Sequence, residues 1–289
     1  MGLLNVGLVA VAGRPNVGKS TLVNALCGGK VAIVSDKPHT TRRRIFGVAN
    51  GEGWQLVLVD LPGFQRPRDP LTARMQKTVD SSFEDIDAVL FVLSARERIG
   101  AGDTFIARRV FALGLPVVIA LNKVDRLKLG HVASQMQTAA RLGDFHALHP
   151  VSAVTKDGIG ALRDELVGLL PEGPALFPPD QRSDLTTEEQ IAELVREKAL
   201  QLTREEVPHS ISAVVEELEE KAVRALVLVE TESQKQILVG RRGTMIKEIG
   251  VRARPEIEAL LGRRIFLELK VKVRPKWRRD QAQLERLGL

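Results

Sequence analysis

Eight residues near the start of the chain restrict its fold more than any other feature. Gly13-Arg14-Pro15-Asn16-Val17-Gly18-Lys19-Ser20 fits G-x-x-x-x-G-K-[ST], a pattern expected about 0.01 times by chance at this length. It follows the β-rich apolar run 5–11 and opens a helical stretch that continues through Thr21, the strand, loop and helix context that the pattern requires. Glycines let successive backbone N–H groups converge on phosphate oxygens, the helix N-terminus adds positive potential, and Lys19 brings a mobile point charge. Ser20 then offers a hydroxyl to Mg²⁺. Such a loop implies a nucleoside triphosphate, and the base must be read elsewhere.

The rest of the first half agrees with this placement. Apolar runs 44–49, 54–59, 88–93, 116–121 and 147–151 alternate with helical patterns after Gly18 and over 103–113, 131–142 and 159–170, the sign of an α/β fold with a mostly parallel sheet. Asn50-Gly51-Glu52-Gly53 predicts one hairpin and therefore one antiparallel edge pair. At 289 residues two domains are expected. Four prolines within 171–180 exclude helix and central strand there. These features predict a nucleotide domain over 1–170, a linker over 171–186 and a second domain over 187–289.

With 44% hydrophobic and 27% charged residues the chain is neither disordered nor fibrous. Its longest apolar runs, 88–93 and 116–121, fall short of the ~20 residues that span a bilayer. The N-terminus has no basic segment of the signal-peptide kind, so a cytoplasmic location is expected. Cys27 is the single cysteine and makes neither an intramolecular disulfide nor a cysteine-based metal site.

Two later stations select the ligand. Asp60-Leu61-Pro62-Gly63 ends the 54–59 strand, where Asp60 can hold Mg²⁺ through water and the Gly63 N–H can reach a γ-phosphate. Asn122-Lys123-Val124-Asp125 follows a buried strand at the carboxyl edge, where open α/β sheets bind ligands. Asp125 is the discriminating group: a carboxylate only accepts, and guanine offers N1–H and an amino group side by side. Adenine presents a lone pair there and loses about 4 to 5 powers of ten. Ser152 and Ala153, after the last strand, are expected to add backbone contacts to the base.

With these motifs in this order, the chain resembles GTPases of the translation-factor-related class and, with its second domain, the bacterial Era family, over nearly its whole length. The resemblance implies that His39-Thr40-Thr41-Arg42-Arg43 is the first switch, in which either Thr40 or Thr41 ligates Mg²⁺ when the γ-phosphate is present. Phe64 stands where many small GTPases carry the glutamine that orients the attacking water. An aromatic ring does not replace it, so slow intrinsic turnover is expected, with positioning and charge neutralisation carrying the reaction. In the subclass with a hydrophobic residue at that position, an asparagine matching Asn16 helps bind K⁺, which implies K⁺-stimulated hydrolysis. Leu61 departs from the threonine frequent in that family, at a position with no expected ligand role.

The second domain is expected to be a small α+β unit. A capping box at Thr186 with Glu189, or at Thr187 with Gln190, opens a helix. Runs 211–217 and 222–230 read as strands, followed by a helix to Leu238, the loop Gly240-Arg241-Arg242-Gly243, a helix to Leu261 and a strand over 264–273. The arrangement resembles the type II KH domain of Era. There the glycines admit the phosphates of a single strand, Arg241 and Arg242 neutralise charge, and Ile237, Val239, Met245, Ile246 and Ile249 are candidates for the groove or for the core. From Lys235 to Arg279 there are 14 Lys or Arg against 4 Glu. Lys270, Lys272, Arg274, Lys276, Arg278 and Arg279 extend this field past the final strand, and Lys247 joins them as a candidate contact to a polyanion. Phe266 and Trp277 are the aromatics of the segment, so backbone clamping outweighs stacking.

The residues imply single-stranded nucleic acid. The resemblance implies the 3′ end of 16S ribosomal RNA, a GTP/GDP switch in assembly of the 30S subunit precursor, and peripheral contact with the inner face of the cell membrane. The sequence leaves oligomeric state open, and a monomer without an obligate protein partner is the expectation. The rival readings are an ATP-driven RNA remodeller and a membrane-surface GTPase that uses the basic segment on anionic lipid.

Overall fold

The computed structural model describes residues 3–37, 40–63, 69–83 and 85–289, apart from the Asp80 side chain. Its backbone contacts divide the chain into two units. The first holds described residues of 1–32, 41–66 and 75–184, and the second those of 33–40, 67–74 and 185–289.

The chain runs through β1 (Leu4–Ala12), α1 (Lys19–Leu26), β2 (Ile45–Gly51), β3 (Trp54–Asp60), α2 (Pro70–Ser81), β4 (Ala88–Ser94), α3 (Ala101–Phe111), β5 (Val117–Asn122), α4 (Leu129–Ala139), β6 (Ala147–Val151), α5 (Ile159–Gly168) and β7 (Glu172–Gly173). The sheet order is β2-β3-β1-β4-β5-β6, with β7 paired to β1. β2 is antiparallel to β3 through the expected hairpin, whereas β3, β1, β4, β5 and β6 are parallel neighbours. Every residue of β4 is buried, which is why its sequence is a continuous apolar run. Successive side chains point to opposite faces. Val9, Val11 and Leu90 pack with Leu22 of α1 and Leu162 of α5, while Ala10, Phe91 and Ile119 pack with Val79 of α2 and Ile106 of α3.

Sequence reading did not anticipate α2, although its signals are present. Asp69 Oδ1 accepts from the Thr72 N–H at 2.8 Å and Thr72 Oγ1 accepts from the Asp69 N–H at 2.9 Å. Pro70 takes the first helical position, where its missing N–H costs nothing, and Leu71, Met75 and Val79 recur on one buried side.

The proline-rich stretch is bound along the first unit. Gln55 Oε1 accepts from the Leu176 and Phe177 N–H groups at 2.7 and 2.9 Å. The Val48 N–H of edge strand β2 donates to Arg182 O at 2.9 Å, and the Phe46 N–H to Asp184 Oδ1 at 2.9 Å. Covering β2 in this way occupies an otherwise open sheet edge.

The second unit contains α6 (Thr187–Leu202), α7 (Val207–Ser210), β8 (Ser212–Leu218), β9 (Ala222–Val229), α8 (Glu232–Val239), α9 (Thr244–Leu261), β10 (Phe266–Val273) and α10 (Gln281–Arg286). Its sheet order is β10-β9-β8, β10 being parallel and β8 antiparallel to β9. Of the two candidate capping boxes, the helix start uses Thr186 with Glu189. Ile191 and Val195 of α6, Val223 and Val227 of β9, Leu238, Ile249 and Ile257 form the core. Trp277 is fully buried, with its indole N–H donating to Ser210 O at 2.9 Å, so it is a packing residue and not a stacking platform.

Candidate functional site

The first site lies at the carboxyl ends of β1, β3 and β5. Gly18 caps α1 with φ 100°, and a Cβ there would lie 2.4 Å from Asn122 Nδ2. Only glycine combines this backbone conformation with so close an approach. Asn122 Nδ2 donates to Val17 O at 3.0 Å, while its Oδ1 accepts from the Lys123 N–H at 2.8 Å and the Ala153 N–H at 3.1 Å. One buried amide therefore fastens the phosphate loop, the Asn-Lys-Val-Asp segment and the Ser-Ala turn together. Lys123 adopts φ 70° and its ammonium donates to Asn16 O. Asn16 has φ 64° and an exposed side chain.

Lys19 is buried and its Nζ donates to Gly13 O and Arg14 O at 3.2 and 3.1 Å. Burial pulls its ammonium down to about 8, with nearby Asp60 opposing the shift. Ser20 Oγ–H donates to Asp60 Oδ2 at 2.7 Å, Thr41 Oγ1 lies 3.0 Å from Ser20 Oγ, and Thr41 donates to the same carboxylate at 3.3 Å. Burial pushes the Asp60 carboxyl up, against the pull of Lys19. Asp60 Oδ1 is buried with no hydrogen-bond partner among the described residues. Three hard oxygen donors converging with one unmet acceptor fit Mg²⁺. Sequence left Thr40 and Thr41 equivalent. In the structure Thr41 lies with Ser20 and Asp60, whereas Thr40 Oγ1–H donates to Lys37 O at 2.7 Å.

Gly63 packs against the loop, where a Cβ would come within 3.0 Å of Pro15. Leu61 is completely buried in the core, consistent with a packing role. Pro62 is buried and Thr21 and Val124 half-buried beside these segments. Asp125 Oδ1 accepts from the buried Ser152 hydroxyl at 2.8 Å, which fixes the carboxylate that would face the base. The side-chain role of Ser152 was not anticipated. Neither was that of Arg14, whose Nε donates to the buried Asp103 at 2.8 Å and whose Nη2 donates to Glu97 at 3.0 Å. These partners lie on or just before α3 and left no local signal. His39 and Phe64 lie outside the described residues.

In the second unit, Gly240-Arg241-Arg242-Gly243 links α8 to α9 with φ 72° at Gly240, 54° at Arg242 and 79° at Gly243. Arg241, Arg242 and Lys247 are exposed. A groove of about 350 Å³ beside this loop runs between α9 and β10, lined by Ile246, Lys247, Gly250, Val251, Arg254, Phe266, Leu267 and Leu269. Phe266 is 67% exposed. Of the apolar candidates, Ile246 lines the groove, Met245 and Val239 are half-buried and Ile237 is exposed. Ile249 is fully buried and belongs to the core, because it lies on the inward side of α9 with Ala253 and Ile257. Lys272, Arg274 and Lys276 are exposed, and so is Lys270, which is ion-paired with Glu268 at 2.9 Å. Arg254 and Phe266 were missed as groove residues, since only the packing of α9 on β10 brings them together.

A model of the family described as 50S ribosome-binding GTPases matches residues 8–123, and one for the KH domain matches 206–278. The chain is 40% identical over 290 residues to the GTPase Era of Heliobacterium modesticaldum, covering 99% of this chain and 97% of that one. It is 42% identical over 298 residues to the GTPase Era of Nocardioides sp., covering 98% and 95%. It is similar to the crystal structure of Era in complex with MgGDPNP and nucleotides 1506–1542 of 16S ribosomal RNA, with TM-score 0.95 and 38% identity over 99% of both chains. An Aquifex aeolicus Era variant bound to GDP and aluminium fluoride gives TM-score 0.94 at 38% identity, over 100% of this chain and 99% of that one. With a phosphate-loop motif, an Asn-Lys-Val-Asp segment and a KH unit in one chain, and full-length relatives at this identity, the protein belongs to the Era family of GTPases.

Proposed function

We propose that the protein is a GTP-hydrolysing switch that binds the single-stranded 3′ end of 16S ribosomal RNA and acts in assembly of the small ribosomal subunit. One observation carries this reading: the Asp125 carboxylate, held by Ser152 where it would face guanine, occurs in one chain with the Gly240–Gly243 loop and its apolar, cation-edged groove. The similar Era structure that holds MgGDPNP and 16S nucleotides 1506–1542 supports the choice of ligands.

In this reading Asp125 accepts from guanine N1–H and the amino group, while Asn122 holds the base pocket against the phosphate loop. Main-chain N–H groups from Gly13 to Ser20 cradle the phosphates and Lys19 turns its ammonium from the loop carbonyls to the β- and γ-phosphates. Ser20, Thr41 and, through water, Asp60 would hold Mg²⁺, whose charge offsets that of the phosphates. The Gly63 N–H faces the γ-phosphate. Water attacks the γ-phosphorus, giving GDP and phosphate. No glutamine orients that water, so turnover is slow. Asn16, exposed at the turn of the loop, would contribute to a K⁺ site. Hydrolysis should therefore run several-fold faster in saturating K⁺ than in Na⁺, and equal rates would remove K⁺ from the mechanism.

In the second unit Arg241 and Arg242 neutralise RNA phosphates at the glycine loop, bases enter the groove between α9 and β10, and Lys272, Arg274 and Lys276 extend the field. The test is binding of the full chain to an oligonucleotide copying the 16S 3′ end, against a scrambled one. Preference for the former, lost in Gly243→Asp while GTP turnover persists, is expected. Equal binding of both, or binding to anionic vesicles that survives Gly243→Asp, would favour a different use of the basic segment.

A further inference from the structure

We infer that Arg196, on α6 of the second unit, is a positioning residue for the nucleotide site, setting the main chain of Thr40 so that the hydroxyl of Thr41 faces Ser20 and Asp60. Residues 33–37 and 40 belong to the same unit as α6. That helix turns one polar stripe toward them, Glu193, Arg196, Glu197 and Gln201, at the three- and four-residue spacing that puts side chains on one face. Arg196 Nη2–H donates to Thr40 O, and its Nε and Nη2 grip Glu193 at 2.9 and 2.6 Å. The Val34 N–H donates to Glu197 Oε1 at 2.8 Å, and Gln201 Nε2 donates to Val34 O at 3.4 Å. Val34 and Thr40 are thus both fastened to α6. One peptide bond then separates the acceptor of Arg196 from Thr41, whose Oγ1 lies 3.0 Å from Ser20 Oγ and 3.3 Å from Asp60 Oδ2.

Two features set this arginine apart from an ordinary packing contact. It is 2% exposed, a burial that the residue type rarely accepts without full pairing, yet its Nη1 has no hydrogen-bond partner among the described residues. The guanidinium therefore keeps an unmet donor beside the segment that leads into the nucleotide site. In addition, the neighbouring Glu197 Oε2 accepts from Lys198 Nζ at 2.7 Å, and Lys198 also pairs with Glu256 of α9. α9 is the helix that follows the Gly240–Gly243 loop. Adjacent polar residues of α6 thus hold the segment before Thr41 on one side and the RNA-loop helix on the other. A lysine at position 196 would supply one point charge in place of a planar fork that holds a carboxylate and a carbonyl together.

The inference rests on Thr41 as the Mg²⁺ ligand in the triphosphate state, and the test separates the two. Affinities of the full chain for fluorescent GDP and a fluorescent non-hydrolysable GTP analogue are measured with saturating MgCl₂ for the native protein, Thr41→Ala, Arg196→Ala and Arg196→Lys. In Arg196→Ala the triphosphate should weaken relative to GDP by about tenfold, within the range of coupled sites, with GDP affinity unchanged, and Arg196→Lys should fall between. If Arg196→Ala does not fold, the ratio in Arg196→Lys decides. An unchanged ratio, or equal weakening of both nucleotides, overturns the positioning role. A ratio that shifts in Thr41→Ala but not in the Arg196 variants refutes this inference alone. A ratio unmoved in Thr41→Ala refutes the ligand reading beneath it.

Discussion

In the first unit Lys19, Asp60, Asn122 and Ser152 of the candidate nucleotide site are buried and hydrogen-bonded, with Asn16 and Asp125 in the exposed class, whereas in the second unit the cations that would face RNA all stand exposed. Lys19, Asp60, Asn122 and Ser152 are each at most 7% exposed. Arg241, Arg242, Lys247 and Lys272 all lie in the exposed class. The difference follows from the tasks. Choosing a purine and stabilising charge at a reacting phosphate need fixed groups in a low-dielectric setting. Attracting a flexible polyanion needs solvated charges that release counterions and a groove tolerant of many poses.

If that contrast holds, single substitutions should damage the two sites very unequally. The largest effect is expected for Asp125→Asn, which should cost about 10⁴-fold in GTP affinity and move preference to xanthosine triphosphate, with RNA binding unchanged. A small loss in competition titrations would mean that the base is read elsewhere. Next is the pair Gly18→Ala and Gly243→Ala. Both glycines have positive φ, but a Cβ at Gly18 meets Asn122 Nδ2 at 2.4 Å while one at Gly243 meets nothing within 4 Å. Thermal and denaturant unfolding should show Gly243→Ala losing about 1 kcal/mol from backbone strain alone, and Gly18→Ala losing more, together with nucleotide affinity. Equal losses would show that the nucleotide site is no more tightly built than the RNA loop.

Smaller effects belong to the groove. Phe266→Ala should weaken RNA binding by about tenfold, the scale of one lost base-stacking contact, without altering GTP turnover. Lys272→Ala should lower affinity similarly for any sequence and reduce the salt slope of log K by about 1. A change in sequence preference would mean instead that Lys272 reads a base edge.

The nucleotide site was largely legible because its requirements are local: a loop of eight residues, a strand-end Asp60 and a tetrapeptide ending in Asp125 each announce themselves within a few positions. What joins them was not. The Arg14–Asp103 clamp spans 89 positions, and the Ser152 hydroxyl on Asp125 spans 27, distances over which sequence carries no pairing signal. α2 was legible from Asp69 and Pro70 but has no strong run to attract notice. The second unit was anticipated as one stretch, yet residues 33–37, 40 and 69–74 pack with it, an outcome of tertiary contacts alone. The groove shows the same limit, since Ile246 and Ile249 look alike in a helical pattern and only the packing of α9 decides that one lines the groove and the other the core.

The most direct measurement is displacement of a fluorescent GTP analogue from the Mg²⁺-supplied full chain by unlabelled GTP and ATP. Guanine selection by Asp125 predicts saturable binding, competed by GTP at near-equal affinity and by ATP only at concentrations about 10⁴-fold higher. Displacement by ATP and GTP at comparable concentrations, or no saturable binding of the analogue, would contradict it.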